Sequence, residues 1–198
     1  MTEEQLKTRS SAVYHLLKTI QGEDADREGV QETPSRVAKM YEEIFAGYQM
    51  DPQAILSKTF DIGKDVPNAQ VDEYAQGIVV VKDIRFFSQC EHHMVPFYGH
   101  VSIAYVPGDR VVGLSKFARL VECYARRLQV QERMTRQITD DIVAYLRPKG
   151  VMVIVEAEHM CMTMRGIQKP GTVTTTSRVY GCFANNAAAR EEAMRLMK

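Results

Sequence analysis

The chain has 198 residues, of which 45% are hydrophobic and 25% charged, and its 25 Lys and Arg balance its 25 Asp and Glu at a net charge of zero. This composition is typical of a folded globular domain, and the length suits one domain of about 100–200 residues with an appended segment. A neutral chain lacks the basic excess of general nucleic-acid or membrane-surface binders, and the apolar runs at 78–81 and 151–155 are far shorter than the roughly 20 residues of a membrane span. We therefore expect neither a nucleic acid nor a membrane as a partner.

Residues 1–70 are predicted to form an N-terminal helical segment. Start signals and apolar periodicity indicate three helices: 3–20 after a Thr2/Gln5 capping box, a second from Thr33-Pro34 to about Gly47, and a short third from Asp51-Pro52. The Gly-, Asp- and Pro-rich stretch 61–70 predicts an irregular connector. The polar N-terminus has no signal-peptide pattern, so we expect a cytoplasmic protein.

Residues 71–198 are predicted to form an α+β domain. The predicted strands cover 78–87, 100–105, 151–159 and 172–183, two helices starting at Ser115 and Gln131 lie between the strand pairs, and Asn186 caps a last helix. The expected sheet is four-stranded and antiparallel. Its two open edges would promote aggregation if they stayed exposed, so we expect them to pair between subunits.

Four cysteines in a reducing compartment favour metal binding, catalysis or packing over disulfides. Cys123 lies in a predicted apolar helix and Cys182 in the last predicted strand, neither near a histidine, so both are interpreted as packing residues. His15 and His100 belong to no cluster and are expected on the surface. The other two cysteines each have histidine neighbours.

Cys90 and His93 have the Cys-x-x-His spacing of two zinc ligands on one turn, which completes only half of a tetrahedral site. The second cluster, His159-Met160-Cys161, offers a third ligand, and its i, i+2 pair shares one face if the strand persists that far. With Cys90, His93 and Cys161 as ligands, zinc keeps an open position for water, as in hydrolytic sites. His92 and His159 would then be spare acid/base groups, although spacing alone leaves open which histidines ligate.

Two helix starts carry residues suited to a nucleotide. Ser115, Lys116 and Arg119 open one helix, where free N–H groups and two cations could hold a phosphate chain, with Arg165 as a further cation. The alternative is a capped helix with solvated basic residues. Glu132 opens the next helix, where a carboxylate could accept the N1–H and NH2 of guanine, or could simply complement the helix dipole.

Motifs along nearly the whole chain resemble GTP cyclohydrolase I. They are Cys90-Glu91-His92-His93, Gly113-Leu114-Ser115-Lys116 with Arg119, the run 127–133, and the run 158–166, flanked by Glu28-Gly29, the run 33–38 and the run 173–177.

The resemblance implies that GTP and water are converted to 7,8-dihydroneopterin triphosphate and formate, the first step toward folate-type pterins. It implies Zn2+ as the cofactor and a tunnelling fold whose sheets join as a pentameric barrel, with two rings stacked as a decamer. The implied roles are zinc ligation by Cys90, His93 and Cys161, acid/base work by His92 and His159, guanine recognition by Gln131 and Glu132, and triphosphate binding by Ser115, Lys116, Arg119 and Arg165. We expect His159 to protonate N7 of guanine, which makes C8 susceptible to attack by water.

One position departs from the family pattern: His100 stands where members commonly carry Lys or Arg. The N-terminal segment is short, and nothing in it supports a regulatory partner. Two alternative functions are a non-catalytic ring that binds a purine or pterin around structural zinc, and an enzyme of the same scaffold acting on another purine or pterin. The two spare histidines favour catalysis, and the Ser115, Lys116, Arg119 and Arg165 set favours a triphosphate.

Overall fold

A computed structural model of the chain describes residues 1–61 and 77–198. These residues form two compact units, Met1–Ala46 and Gly47–Lys198. The predicted connector at 61–70 lies outside the described residues apart from Asp61, and so does the predicted boundary at residue 70.

The first unit is built on two helices, α1 (Glu3–Lys18) and α2 (Thr33–Ile44). The capping box at α1 is confirmed: the Thr2 hydroxyl accepts from the Gln5 backbone N–H, and the Gln5 side chain accepts from the Thr2 N–H. The predicted cap of α2 is wrong by one position, because Thr33 is already helical and the residue before it makes no side-chain cap bond. Proline is tolerated in that first turn because the N–H it lacks would have no helical partner.

The second unit starts with α3, which the sequence pattern had grouped with the N-terminal segment. Its described elements are α3 (Pro52–Leu56), β1 (Thr59–Asp61), β2 (Val79–Cys90), β3 (Pro96–Val106), β4 (Arg110–Val112), α4 (Ser115–Ala125), β5 (Leu128–Gln129), α5 (Gln131–Leu146), β6 (Gly150–His159), α6 (Met160–Thr163), β7 (Val173–Gly181), α7 (Cys182–Asn185) and α8 (Ala187–Met197). The predicted α+β class and the two helices between strand pairs are confirmed. The cap of α8 is confirmed as well, since the Asn186 side chain accepts from the Ala189 N–H.

The main sheet has five strands in the order β5-β2-β3-β6-β7, so the prediction of four strands is wrong by one. The four predicted strands form its antiparallel part, and the fifth, β5, runs parallel to the end of β2 with Cys90 opposite Gln129. A two-residue strand is too short to show periodicity, which is why the pattern missed it. The ribbon of β1 with β4 was missed for the same reason.

Helices cover both faces of this sheet. α4 and α5 pack on one face over the larger core, whose fully buried members include Phe97, Phe117 and Ile138. α7 and α8 pack on part of the opposite face, where Phe183 and Cys182 are buried. Cys182 therefore is a packing residue, but it begins α7 instead of ending the last strand. Gly99 allows β3 to approach β6 closely, because a Cβ there would lie 1.9 Å from the carbonyl oxygen of Glu156.

Candidate metal centre and its surroundings

The turn between β2 and β3 presents the first cluster. Cys90 is the last residue of β2, and its N–H donates to the carbonyl of Val95 (2.9 Å), while the N–H of Met94 donates back to the Cys90 carbonyl (2.8 Å). Met94 adopts a positive φ of 55°, which reverses the chain. This tight turn holds His92 and His93 at its tip, where both are exposed.

Cys161 reaches the same place from β6. The strand ends at His159 and Cys161 lies in the short helix α6, so the condition under which His159 and Cys161 would share a strand face is not met. The helical turn nevertheless brings the Cys161 sulfur back toward the end of β2. The described residues contain one group of three or more potential ligand side chains that converge, and it consists of Cys90, His93 and Cys161.

The geometry of this group fits a zinc ion. Its three ligand atoms lie within 4.8 Å of one another, and Cys90 Sγ is 3.9 Å from His93 Nδ1. Zinc–sulfur and zinc–nitrogen bonds of about 2.3 Å and 2.0 Å at a tetrahedral angle would separate such a pair by about 3.6 Å. His92 Nδ1 also lies 4.0 Å from Cys90 Sγ, but His92 is not part of the converging group.

The ionisation of the Cys161 thiol depends on its surroundings in the cluster. Burial raises the pKa of the Cys161 thiol, and the nearby Cys90 raises it further, while Arg165 lowers it. Two adjacent thiols resist joint ionisation unless a positive charge lies between them, and a bound metal ion supplies that charge. Arg165 is close by, with Nη1 3.3 Å from His93 Nε2.

An ion pair that sequence reasoning missed holds the turn in place. Glu91, inside the Cys-Glu-His-His motif, pairs with Arg133 on α5 through two bonds, one of them 3.0 Å from Nη2 to Oε1. The hydrogen bond from Arg133 holds the pKa of the Glu91 carboxyl below its ordinary value. The partners are 42 positions apart, so no local pattern could have paired them.

His159 is half-buried beside the cluster. Its ring stacks on Phe97 with the centroids 4.6 Å apart and the planes parallel, and its Nε2 lies 2.8 Å from Gln131 Oε1. Burial lowers the pKa of His159, and the negative charge of Glu132 partly offsets that effect. A largely neutral imidazole therefore lies next to the potential metal ligands.

The two predicted guanine contacts differ in their surroundings. Gln131 is buried, whereas Glu132 is exposed and lines an open cavity of about 470 Å³ between the start of α5 and the edge strand β7. The remaining walls of this cavity are formed by Arg133, Thr135, Arg136, Thr176, Ser177 and Arg178.

The predicted phosphate-binding residues differ in their contacts with the cluster. Ser115, Lys116 and Arg119 lie in the first turns of α4, and no hydrogen bond or ion pair among the described residues links them to the Cys90, His93 and Cys161 group. The C-terminal end of α4 leads into β5, which pairs with the end of β2. Of the four predicted phosphate contacts, only Arg165 lies within hydrogen-bond distance of the cluster among the described residues, at His93 Nε2.

Comparison with known proteins identifies the family. The GTP cyclohydrolase I profile matches residues 9–198. The chain belongs to the GTP cyclohydrolase I family. GTP cyclohydrolase 1 of Halalkalibacterium halodurans is 54% identical over 94% of this chain and 94% of its own length, and that of Clostridium kluyveri is 49% identical over 100% and 99%. The enzyme of the same name from Desulforamulus reducens is 53% identical over 94% of both chains.

The GTP cyclohydrolase I match includes both Cys/His clusters and the starts of α4 and α5. Among solved structures, an archaeosine synthase QueF-like protein in the apo form is 21% identical over 52% of this chain, with a TM-score of 0.45. Across the described parts of the chain, no helix combines the length and apolar character needed to cross a membrane.

Proposed function

We propose that this chain is a zinc-dependent GTP cyclohydrolase I that converts GTP and water to 7,8-dihydroneopterin triphosphate and formate. The observation that carries the proposal is the convergence of Cys90, His93 and Cys161 beside His159 in a chain of this family. Three ligands leave a fourth position open, which distinguishes a hydrolytic zinc site from a closed structural one. When bound, zinc would act as a Lewis acid that lowers the pKa of water at that position.

The chain's own residues then bind the base and move protons. Glu132 is exposed at the mouth of its cavity, where its carboxylate can accept the N1–H and the exocyclic NH2 of guanine, a pair of donors that adenine lacks. The negative charge of Glu132 acts to raise the pKa of His159, so the two side chains interact electrostatically, and we propose that a base held by Glu132 lies near the His159 imidazole. We assign His159 to protonation of guanine N7 and His92, exposed on the neighbouring turn, to the other proton transfers.

We further propose that a second copy of the chain supplies the triphosphate site. Helix α4 has 11 residues, and ten rises of about 1.5 Å place its first residue about 15 Å from its last along the axis. The first turn of α4 carries Ser115, Lys116 and Arg119, whereas its last turn leads to β5 beside Cys90. The cavity at Glu132 opens along β7, an edge strand whose outer side has no partner among the described residues.

Edge-to-edge pairing of such sheets is the arrangement that the family resemblance implies, a pentameric tunnelling-fold barrel stacked as a decamer. We propose that a neighbour docked on an edge brings its own α4 to this chain's metal cluster. All four cysteines are free, which suits a reducing compartment, and we therefore place the enzyme in the cytoplasm.

The test is to incubate zinc-quantified protein with GTP and to measure formate together with the fluorescence of the oxidised pterin. Equal amounts of formate and pterin, with about one zinc per chain as a single three-ligand site requires, support the proposal. Bound GTP with neither product, in zinc-loaded protein, would instead indicate a non-catalytic binding ring. Formate without pterin would show that the ring opens but that the ribose does not rearrange.

A further inference from the structure

Gln131 opens α5, yet its side chain points into the protein and is only 1% exposed. Its Nε2 lies within hydrogen-bond distance of three acceptors, the carbonyl oxygens of Val155 (2.9 Å) and Thr174 (2.9 Å) and the hydroxyl of Thr176 (3.2 Å). Its Oε1 lies 2.8 Å from His159 Nε2. Both ends of the amide are therefore occupied by groups of the protein itself.

These contacts determine which way the amide faces. Backbone carbonyls can only accept hydrogen bonds, so the NH2 group must face Val155 and Thr174, and the reversed amide would set Oε1 against two oxygen atoms. Oε1 consequently faces His159. An amide oxygen can only accept, so His159 Nε2 must carry a hydrogen and donate it.

Two hydroxyl groups extend this series of hydrogen bonds, in which each donor and each acceptor is defined. The Thr135 hydroxyl lies 2.8 Å from the Gln131 carbonyl, to which it can donate, and 2.6 Å from the Thr176 hydroxyl. Thr176 can then donate to Thr135 while it accepts from Gln131 Nε2. Every group in this series of hydrogen bonds can therefore be assigned consistently as donor or acceptor. The Gln131 side-chain amide is thus held directly by β6 and β7, and Thr135 of its own helix orients the Thr176 hydroxyl that it contacts.

Phe97 supplies the second constraint on the imidazole. The ring of His159 lies parallel to that of Phe97 at 4.6 Å, which sets its plane, and the bond to Gln131 sets its rotation within that plane. With the hydrogen on Nε2, a neutral His159 has its free lone pair on Nδ1. None of the residues that the structure describes forms a hydrogen bond with Nδ1.

We propose that Gln131 is a positioning residue for His159, which holds the imidazole in the Nε2–H tautomer and leaves Nδ1 as the nitrogen that exchanges a proton with substrate. This inference rests on the proposed function, because it takes His159 as the group that transfers the proton. It departs from the guanine contact that the family resemblance implies for Gln131. The two amide hydrogens already have three acceptors within the protein, so guanine recognition is left to Glu132.

The test compares Gln131→Met with Gln129→Met, a matched control. Gln129 is also a buried glutamine, 2% exposed, and its Nε2 donates to the Tyr124 carbonyl (3.0 Å) and to Gln137 Oε1 (2.8 Å), away from His159. Each variant removes one buried amide and leaves acceptors without a donor. A general loss of packing should therefore affect both, whereas loss of the His159 partner affects only the first.

The decisive readout is the ring 15N spectrum of metal-loaded, histidine-labelled protein at about pH 8, above the ordinary histidine pKa of ~6.5. His159 is assigned by its absence from the spectrum of His159→Asn. We expect a protonated Nε2 and an unprotonated Nδ1 for His159 in the wild type and in Gln129→Met, and a mixture of tautomers in Gln131→Met. A proton on Nδ1 in the wild type would overturn the proposal even if Gln131→Met fails to fold.

Steady-state kinetics distinguish a positioning role of Gln131 from direct contact with the substrate. Gln131→Met should lower kcat for GTP by about 10- to 100-fold with KM within about threefold of wild type, whereas Gln129→Met should retain kcat. A raised KM with unchanged kcat would instead place Gln131 against the substrate and overturn the proposal. If wild-type protein makes no formate from GTP, the proposed function fails, and the 15N spectra still decide whether Gln131 sets the tautomer.

Discussion

The sulfur atoms of Cys90 and Cys161 lie within 4.8 Å of each other although their strands do not pair, because β3 runs between β2 and β6. Cys90 is the last residue of its strand, whereas Cys161 lies just beyond the end of β6, in α6. A metal ion held by both would therefore connect directly two strand ends that β3 separates in the sheet. His159, the last residue of β6, stacks on Phe97 of β3 directly beside this connection.

Variants at Cys161 and His159 should distinguish metal binding from proton transfer. Cys161→Ala is expected to lose both zinc and turnover, because two ligands are left of three. His159→Ala should retain zinc and lose turnover. Zinc is measured by mass spectrometry after desalting, and Cys182→Ala, which removes a thiol on the opposite face of the sheet, serves as the control. Equal zinc loss in the Cys161 and His159 variants would mean that the ligand set is wrong.

Lys116 should act on substrate binding. Lys116→Ala removes a cation from the first turn of α4, so we expect KM for GTP to rise by about tenfold through loss of a charge-assisted hydrogen bond, with kcat changed less. Lys82→Ala removes an equally charged, exposed side chain from β2 and should leave KM unchanged. Steady-state kinetics at constant ionic strength make the comparison. An unchanged KM in Lys116→Ala would exclude this residue from the phosphate site.

If two chains share one site, variants that affect different parts of that site should complement each other in a mixed oligomer. Cys161→Ala disables the metal half of the proposed site and Lys116→Ala weakens its phosphate half, and a mixed oligomer contains interfaces where both wild-type halves meet. We therefore expect activity at GTP well below KM to exceed the average of the two separate variants when they are dissociated together, reassociated and reloaded with zinc. Each variant treated alone is the control. Absence of recovery in oligomers shown by mass spectrometry to be mixed would mean that one chain carries the entire site.

Asp141 predicts a pH dependence of stability. Burial raises the pKa of its carboxyl, which accepts a hydrogen bond from the phenol of the buried Tyr124. A raised folded-state pKa means that the contribution of this group to stability is fully present below its unfolded value of about 3.8 and is lost as the pH rises through the folded-state value. Asp141→Asn keeps an acceptor for Tyr124 without the charge, so its stability relative to wild type should increase between about pH 4 and pH 7.

Thermal unfolding midpoints across that pH range check this prediction. Asp109→Asn, which removes the same charge from an exposed turn, controls for the change in net charge. A constant difference between Asp141→Asn and wild type at every pH would contradict the assignment.

Periodicity predicted the long elements well. The amphipathic helices and the four longer strands have repeats of several residues, and all were found with shifts at their ends. The strands that were missed, β1, β4 and β5, have two or three residues each and exist only because a distant strand pairs with them. No local pattern can indicate such strands.

The site was predictable in its composition but not in its contacts. The spacing of cysteine and histidine in the two clusters indicates a metal site directly. The partners of His159 are Phe97 and Gln131, which are far away in sequence and come together only through the order of the strands. The same holds for the Glu91–Arg133 pair, which joins the β2–β3 turn to α5. Spacing identifies groups that can react, whereas topology decides what orients them.

The open edge of strand β7 carries a risk of aggregation. Its nine residues, Val173–Gly181, are rich in threonine and valine, contain no proline and have one charged side chain, Arg178. Natural edges that remain open are commonly protected by lysine, proline or a bulge, and β7 shows none of these along its register with β6. A chain that lacks the proposed neighbours is therefore expected to aggregate, so substitutions that weaken the proposed subunit pairing should appear as insoluble protein and not as a stable monomer.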